Sequence, residues 1–426
     1  RVHRTLGVCC STSGGGMMNL AVGVAESYAE SVPVLAIVGQ PPQKLEGRGA
    51  FQDSSGIGRS VNALQMWGAI AKHVVRLEEG ASFWEALVTA MRAALSGRQG
   101  PAVLLVPRDV WTQDAGEKPA WLPNRLSDFT KPVVPDSGEM VRLFCRIKHA
   151  KRPVLVMGTG VLRSTDRGDV THFARTVGLP VVSTMACPGI FPNDDDLYLG
   201  CVGMAGHPSA HRYLNEEADL IIAVGTGLDV MTRGALDTAF NRAELVVINP
   251  DSGPVERALQ PIQVIRADAG TAFSHLNQLT RMKPFFHGRP AGYQLTQVKP
   301  ELLEADDAAR VSRQNVLLQS EALRQLQDFL PKGGHVLFDA GNCAAAAIHR
   351  FQFPERTTTT TLKSWSGWPM AERRTKCSCP SWVNTTASPF ADARAATAAS
   401  MTGSPRSPTL GKMASSSPRR TASNRR

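Results

Sequence analysis

Seven short runs in this sequence are rich in β-branched and other apolar residues and show almost no polar alternation. They are VPVLAIVG (residues 32–39), GPAVLLVP (100–107), PVLVMG (153–158), LPVVST (179–184), DLIIAVG (219–225), ELVVIN (244–249) and HVLFDAG (335–341). A strand with one wet face alternates polar and apolar residues; a strand covered on both faces does not. Strands of the second kind belong to parallel sheets, whose neighbours are joined by long crossovers, usually helices. The segment SFWEALVTAMRAALSG (82–97) reads as such a helix. Ser82 and Glu85 make a capping box, Leu87, Ala90, Met91, Ala94 and Leu95 share a face, and Gly97 suits the stop. The pattern predicts an α/β chain of consecutive doubly wound parallel-sheet domains with right-handed crossovers.

Two breaks divide the runs. Residues 112–132 are polar and contain Pro119, Pro123 and Pro132, and residues 281–300 form a second connector rich in proline and glycine. We therefore expect a first domain over 1–113, a central domain over 133–280, the beginning of a third over 311–361 with a helix over 315–329, and a separate tail over 362–426. The net charge of +10 over 426 residues raises the question of nucleic acid or an anionic membrane. Its distribution answers it. The tail carries eleven Lys/Arg and two acids, leaving 36 basic and 35 acidic side chains before it. The body is near neutral, and the tail's charges are spread without interleaved aromatics, so we expect no specific nucleic-acid partner. Neither Cys9–Cys10 nor Cys377–Cys379 has the two-residue spacing of a zinc knuckle or redox motif. We read the eight cysteines as reduced thiols of a cytoplasmic protein and expect no metal on them. The sequence shows no signal peptide and no apolar run of membrane-spanning length.

The stretch TSGGGMMN (12–19) is the first that points to chemistry. Gly14, Gly15 and Gly16 stand where a strand gives way to a helix starting near Met17 and burying Met17, Leu20, Ala21, Val24 and Tyr28. Glycines let a backbone pass close to a ligand, and a helix start offers free N–H groups. A tight turn beneath a packed helix explains the same residues. No Gly-Lys-Ser/Thr follows, so this is not a P-loop, and it is not the dinucleotide fingerprint; VMGTGVLRS (156–164) offers only Gly158 and Gly160.

Order and spacing add more than any single motif. The glycine stretch is followed by GRGAFQD (47–53), AIAKHVVRL (69–77) and SGRQGPAVLLVPRDV (96–110). This succession resembles the pyrimidine-binding domain of thiamine diphosphate enzymes, in particular acetolactate synthase large subunits and their 2-oxo acid decarboxylase relatives. The segment from Gly178 to Asp229 resembles that family's central domain, and GGHVLFDAGNCAAAAIHRF (333–351) the start of its diphosphate-binding domain. The resemblance covers roughly residues 5–361. It implies a small-molecule 2-oxo acid as substrate, thiamine diphosphate and Mg²⁺ as cofactors, and a homodimer or homotetramer. Gly15, Gly16 and Asn19 would lie against the aminopyrimidine, Phe51 and Gln52 would face the reacting thiazolium carbon, and Lys72 would stand at the substrate entrance. Gly341 and Asn342 would help hold the diphosphate. The plain readings stay open: Phe51 as a core aromatic, Lys72 as a solvated helix charge, Gly341–Asn342 as a strand-end turn.

The family also needs a glutamate on the pyrimidine ring and a Gly-Asp-Gly segment whose oxygens bind magnesium. We find no glutamate at a matching place; Glu26 and Glu30 are on the helix after the glycines. No Gly-Asp-Gly follows Gly341. Acetolactate synthases also carry a flavin on the central domain. Gly203, Met204 and Asp229 match that pattern, but in GTGLDVMTRG (225–234) Gly227 and Met231 stand where the family has arginines, and neither can fork onto a phosphate. We expect no FAD. The segment 362–426 holds only three Val, Ile or Leu residues and cannot bury a core. We expect it to be disordered, either a natural extension or out-of-frame translation beginning near Thr361. On this reading the chain is a fragment, also lacking the family's upstream segment, and is inactive alone. The alternative is a noncatalytic binding or interaction protein built on the same two α/β domains.

Overall fold

A computed structural model describes residues 3–283, 319–329, 335–339, 342–353 and 358–362, all within one compact unit, Arg1–Trp365. The first sheet has four parallel strands, β1 (Gly7–Ser11), β2 (Val34–Gln40), β3 (His73–Arg76) and β4 (Pro101–Pro107), in the order β1-β2-β4-β3. β4 is buried along its whole length, as its unalternating sequence requires, whereas β1 forms an edge and leaves Val8 exposed. Helices α1 (Gly15–Ala29) and α2 (Ala63–Gly68) cover one face, with Met17, Val24 and Trp67 on Ala36, Val38, Val103 and Leu105. Helix α3 (Phe83–Leu95) covers the other, with Ala90 and Ala94 on Leu35, Ala102, Leu104 and Val106. Ser82 caps α3 by accepting the Glu85 N–H at 3.3 Å. One expectation fails: Tyr28 is 45% exposed. It lies on the last turn of α1, beyond Val24, the last buried residue of that helix.

The central sheet contains β5 (Pro153–Met157), β6 (Val181–Thr184), β7 (Tyr198–Val202), β8 (Leu220–Val224), β9 (Glu244–Ile248) and β10 (Gln263–Ile265). All pairs are parallel and the order is β10-β9-β8-β5-β6-β7. Alternate residues feed opposite cores. Leu155, Met157 and Ile222 meet Leu143, Phe173 and Phe273 on one face; Val154, Val156, Ile221 and Ala223 meet Tyr213, Leu214 and Leu236 on the other. The strand order reverses between β8 and β5, where open α/β sheets commonly admit ligands. Here the gap is filled by backbone. The Gly160 N–H donates to the Gly225 carbonyl at 2.8 Å, and a Cβ on Gly160 would lie 2.6 Å from the Gly225 Cα. Gly158 and Gly160 therefore serve close packing.

The segment 112–132 is more than a polar linker. Phe129 is buried against Val88 and Leu95, and the Val133 N–H donates to the Asp268 carboxylate at 2.5 Å. In the third block β11 (His335–Asp339) pairs in parallel with β12 (Thr358–Leu362), so the threonine run is a strand. Between them runs the helix Asn342–Arg350, and Ala344, Ala347, Ile348, Phe351 and Phe353 pack with Leu323 onto Cys201 of β7. The expected tail and most of the second connector lie outside the described residues.

Candidate functional site

β1 and β2 end side by side, and the chain leaves β1 through Thr12, Ser13 and Gly14. Gly14 has φ +62°, a conformation that side chains rarely adopt, and its carbonyl accepts the Met18 N–H at 3.0 Å. α1 therefore begins at Gly15, two residues before the sequence suggested. The loop containing Phe51 and Gln52 folds back onto this turn. A Cβ on Gly14 would sit 2.7 Å from the Gln52 Cβ and Cγ, and the Ser13 hydroxyl donates to Gln52 Oε1 at 3.4 Å. Gln52 itself has φ +54°, uncommon for a residue with a side chain. The space beyond Gly15 is open, Asn19 is exposed, and Phe51 is 86% exposed. Phe51 is thus no core aromatic. Gly16 is different: a Cβ there would meet Thr12 Cγ2 at 2.7 Å, so it serves the loop's own packing. The structure brings Gly15, Gly16, Asn19, Phe51 and Gln52 together at the C-terminal end of the first sheet.

Three residues not singled out in the sequence hold this loop. Ser54 and Gln40 are both buried, and the Ser54 hydroxyl donates to Gln40 Oε1 at 2.7 Å. Asp53 accepts the Gly47 N–H at 2.8 Å and the Ser55 N–H at 2.9 Å. Desolvation works upward on the Asp53 carboxyl, but these hydrogen bonds together hold it below its ordinary value. Gln40 only ended an apolar run, and Asp53 and Ser54 read as ordinary loop polarity, so no spacing signalled the clasp.

Lys72 is used elsewhere. It precedes β3 instead of riding a helix, and its ammonium donates to the carbonyls of Ala93 at 2.6 Å and Ser96 at 2.8 Å at the end of α3. Burial, and then Arg98, lower its pKa. In the central domain Gly203 has φ +122°, and the Met204 N–H donates to the Met231 carbonyl at 3.1 Å. Met204 is exposed, while the Asp229 carboxylate caps the next turn by accepting the Thr232 N–H at 2.8 Å. Gly341 lies outside the described residues, and Asn342 opens the helix Asn342–Arg350. Among the described residues no cluster of three or more His, Cys, Asp or Glu side chains could hold a metal ion, and no helix is long and apolar enough to cross a membrane.

Two stretches of the chain match known domain families. Residues 1–57 match the N-terminal TPP binding domain of thiamine pyrophosphate enzymes, and residues 141–276 match the central domain of the same enzymes. Acetolactate synthase 1, chloroplastic, of Nicotiana tabacum is 32% identical over 280 residues, 65% of this chain and 40% of that protein. The acetolactate synthase large subunit of Corynebacterium glutamicum is 31% identical over 282 residues, 66% of this chain and 44% of that protein. The chain thus spans about two fifths of the length of the curated relatives it matches.

Proposed function

We propose that this chain, which carries the N-terminal and central domains of thiamine pyrophosphate enzymes, supplies the pyrimidine-facing half of a thiamine diphosphate site in an acetolactate synthase-like decarboxylase or carboligase of 2-oxo acids. The observation that carries the reading is the seat of Gln52 on Gly14 beside the open space at Gly15. That cradle suits a flat ring: a side chain at Gly14 would displace Gln52, and none at Gly15 obstructs the approach. Gly15, Gly16 and Asn19 would hold the aminopyrimidine, and Phe51 and Gln52 would bound the reacting end and exclude water from it. Gly341 and Asn342 would serve the diphosphate. When bound, thiamine diphosphate acts as the electron sink for loss of carbon dioxide from a 2-oxo acid. The chain's own residues contribute position. Lys72 stands outside this set, since its ammonium is committed to the end of α3.

The reading makes the chain incomplete alone, because the sequence holds no Gly-Asp-Gly after Gly341 to bring magnesium to the diphosphate. It also leaves flavin out: Asp229 is spent on a cap, and Gly227 and Met231 offer no guanidinium. A homodimer or homotetramer is part of the proposal, supported by Met18 and Val22, apolar residues that α1 turns outward, and by Tyr28, exposed on its last turn. That same face favours the second reading, a noncatalytic interaction protein. A cytoplasmic setting belongs to the proposal too, in keeping with the free thiols of Cys9, Cys10, Cys145, Cys187 and Cys201.

Titration of thiamine diphosphate into the full chain, followed by amide chemical shifts with and without Mg²⁺, tests the reading. We expect millimolar binding, indifferent to Mg²⁺, with shifts confined to residues 14–19 and 51–52. Absence of those shifts overturns the half-site and leaves the noncatalytic reading. Micromolar, Mg²⁺-dependent binding overturns the incompleteness.

A further inference from the structure

Two buried histidines join the central domain to the third block. His207 follows the Gly203–Gly206 turn and is 3% exposed; His349 lies near the end of the helix Asn342–Arg350 and is 6% exposed. Their rings stack with centroids 4.5 Å apart and planes at 17°. His207 Nδ1 accepts the N–H of Cys201 on β7 at 2.9 Å, so that nitrogen carries no proton. Its Nε2–H donates to the His349 carbonyl at 2.8 Å. One neutral tautomer satisfies both contacts, and no charged form does. Gly200 passes close to the ring, where a Cβ would lie 2.8 Å from His207 Cγ.

The other titratable and charged groups around the pair are His211, Arg350 and the buried Cys201 thiol. His211 Nε2 accepts the Gly203 N–H at 3.3 Å; Arg350 follows His349 on its helix; the backbone of Ala205 and Gly206 lies against His349. The groups that act on the His207 ring are His349, His211 and the Cys201 backbone. A proton on His207 Nδ1 would point at the Cys201 N–H, and the cation would face His349 and His211 without a counter-ion. Burial first, then His349, lower the His207 pKa to about 4; burial also lowers His211 and His349.

We propose that His207 and His349 form an acid-released latch: neutral, they hold the Asn342–Arg350 helix on the β7 edge of the central sheet, and protonation of His207 frees that helix and uncovers Cys201. The latch does not depend on the thiamine reading. The apolar contacts of Ala344, Ala347, Ile348, Phe351 and Phe353 remain at any pH, so the histidines set when the helix leaves. The sign follows from linkage. His207 binds its proton less readily docked than free, so docking is strongest above the free value of about 6.5 and weakens as pH falls from there toward 4. In the limit where undocking restores the free value to His207, the opening constant rises about 20-fold from pH 7 to pH 5.

Hydrogen exchange followed by mass spectrometry on the full chain, corrected for the intrinsic pH dependence of exchange, reads this directly. Peptides covering 344–353 are expected to lose about 20-fold protection between pH 7 and pH 5, while 168–177 and 269–282 in the central core keep theirs. Unchanged protection at 344–353, or equal loss in both regions, overturns the latch. In His207→Gln, which carries no titratable ring at 207, the step is expected to shrink to what His211 and His349 contribute; a step of wild-type size overturns the assignment to His207. Where that variant does not fold, the wild-type profile decides alone.

Discussion

The two parallel sheets of this chain are finished to different degrees. In the central sheet every residue of β5, β6, β7 and β8 is buried, and each face carries its own packed core. In the first sheet only β4 is buried throughout, β1 leaves Val8 at the edge, and α1 turns Met18, Val22 and Tyr28 to water. The central domain fills its strand-reversal crevice with Gly158, Gly160 and Gly225. The candidate site lies instead on the unfinished sheet, at the ends of β1 and β2, on the same helix as the exposed apolar residues. Exposed apolar side chains grouped on one element mark surface that another body can cover. The contrast separates a domain closed on both faces of its sheet from one that leaves apolar residues of its helix in water.

The largest expected effect tests the self-sufficiency of the central domain. Phe173 and Phe273 meet edge to face at 5.5 Å between centroids, both fully buried. Phe173→Ala should cost about 3–5 kcal/mol in urea unfolding, because the cavity lies where two helices meet a filled sheet and cannot collapse. A loss below about 1 kcal/mol would mean that this core is not what holds the domain.

A smaller effect sharpens the account of the candidate site. Gly14→Ala meets two obstacles, a φ of +62° and a collision with Gln52 at 2.7 Å. The cost should be about 1–3 kcal/mol, expressed locally, with faster proteolytic cleavage in 41–62 and little change in the central domain. Adding Gln52→Gly should restore much of the loss, since it removes the colliding side chain. If the single variant leaves cleavage unchanged, the loop is not seated by this contact.

How much of this was readable beforehand divides along the same line. The buried strands announced themselves, since β4, β5, β8 and β9 fall inside the unalternating runs. Short or edge strands did not: β3 carries only half-buried residues, and β10 has three residues, too few for a pattern. In the site, the glycines were visible because Gly14 must adopt a conformation that other residues avoid. Gln52 was visible only through resemblance, and its left-handed backbone leaves no trace in the sequence. The carbonyls that Lys72 reaches could not be foreseen, because a lysine beside a histidine says nothing about them. The His207–His349 pair joins residues 142 apart, and the polar clasp of Gln40 and Ser54 looked like a strand end and a loop. Contacts made by long-range closure have no local period to read.

The smallest expected effect on stability is the one that decides what the unfinished face is for. Met18 and Tyr28 are 47% and 45% exposed and belong to no buried cluster of the chain. Met18→Lys with Tyr28→Ser should therefore change unfolding stability by no more than about 0.5 kcal/mol. The same double variant should weaken self-association measured by light scattering, because it places a charge and a hydroxyl in what an oligomer would bury. The two readouts are independent. A stability loss above about 1 kcal/mol would show that the chain covers this face itself, and the contrast between the sheets would disappear. Unchanged stability with unchanged association would leave the face exposed without a second copy to cover it, removing the support that α1 gives to the proposed oligomer.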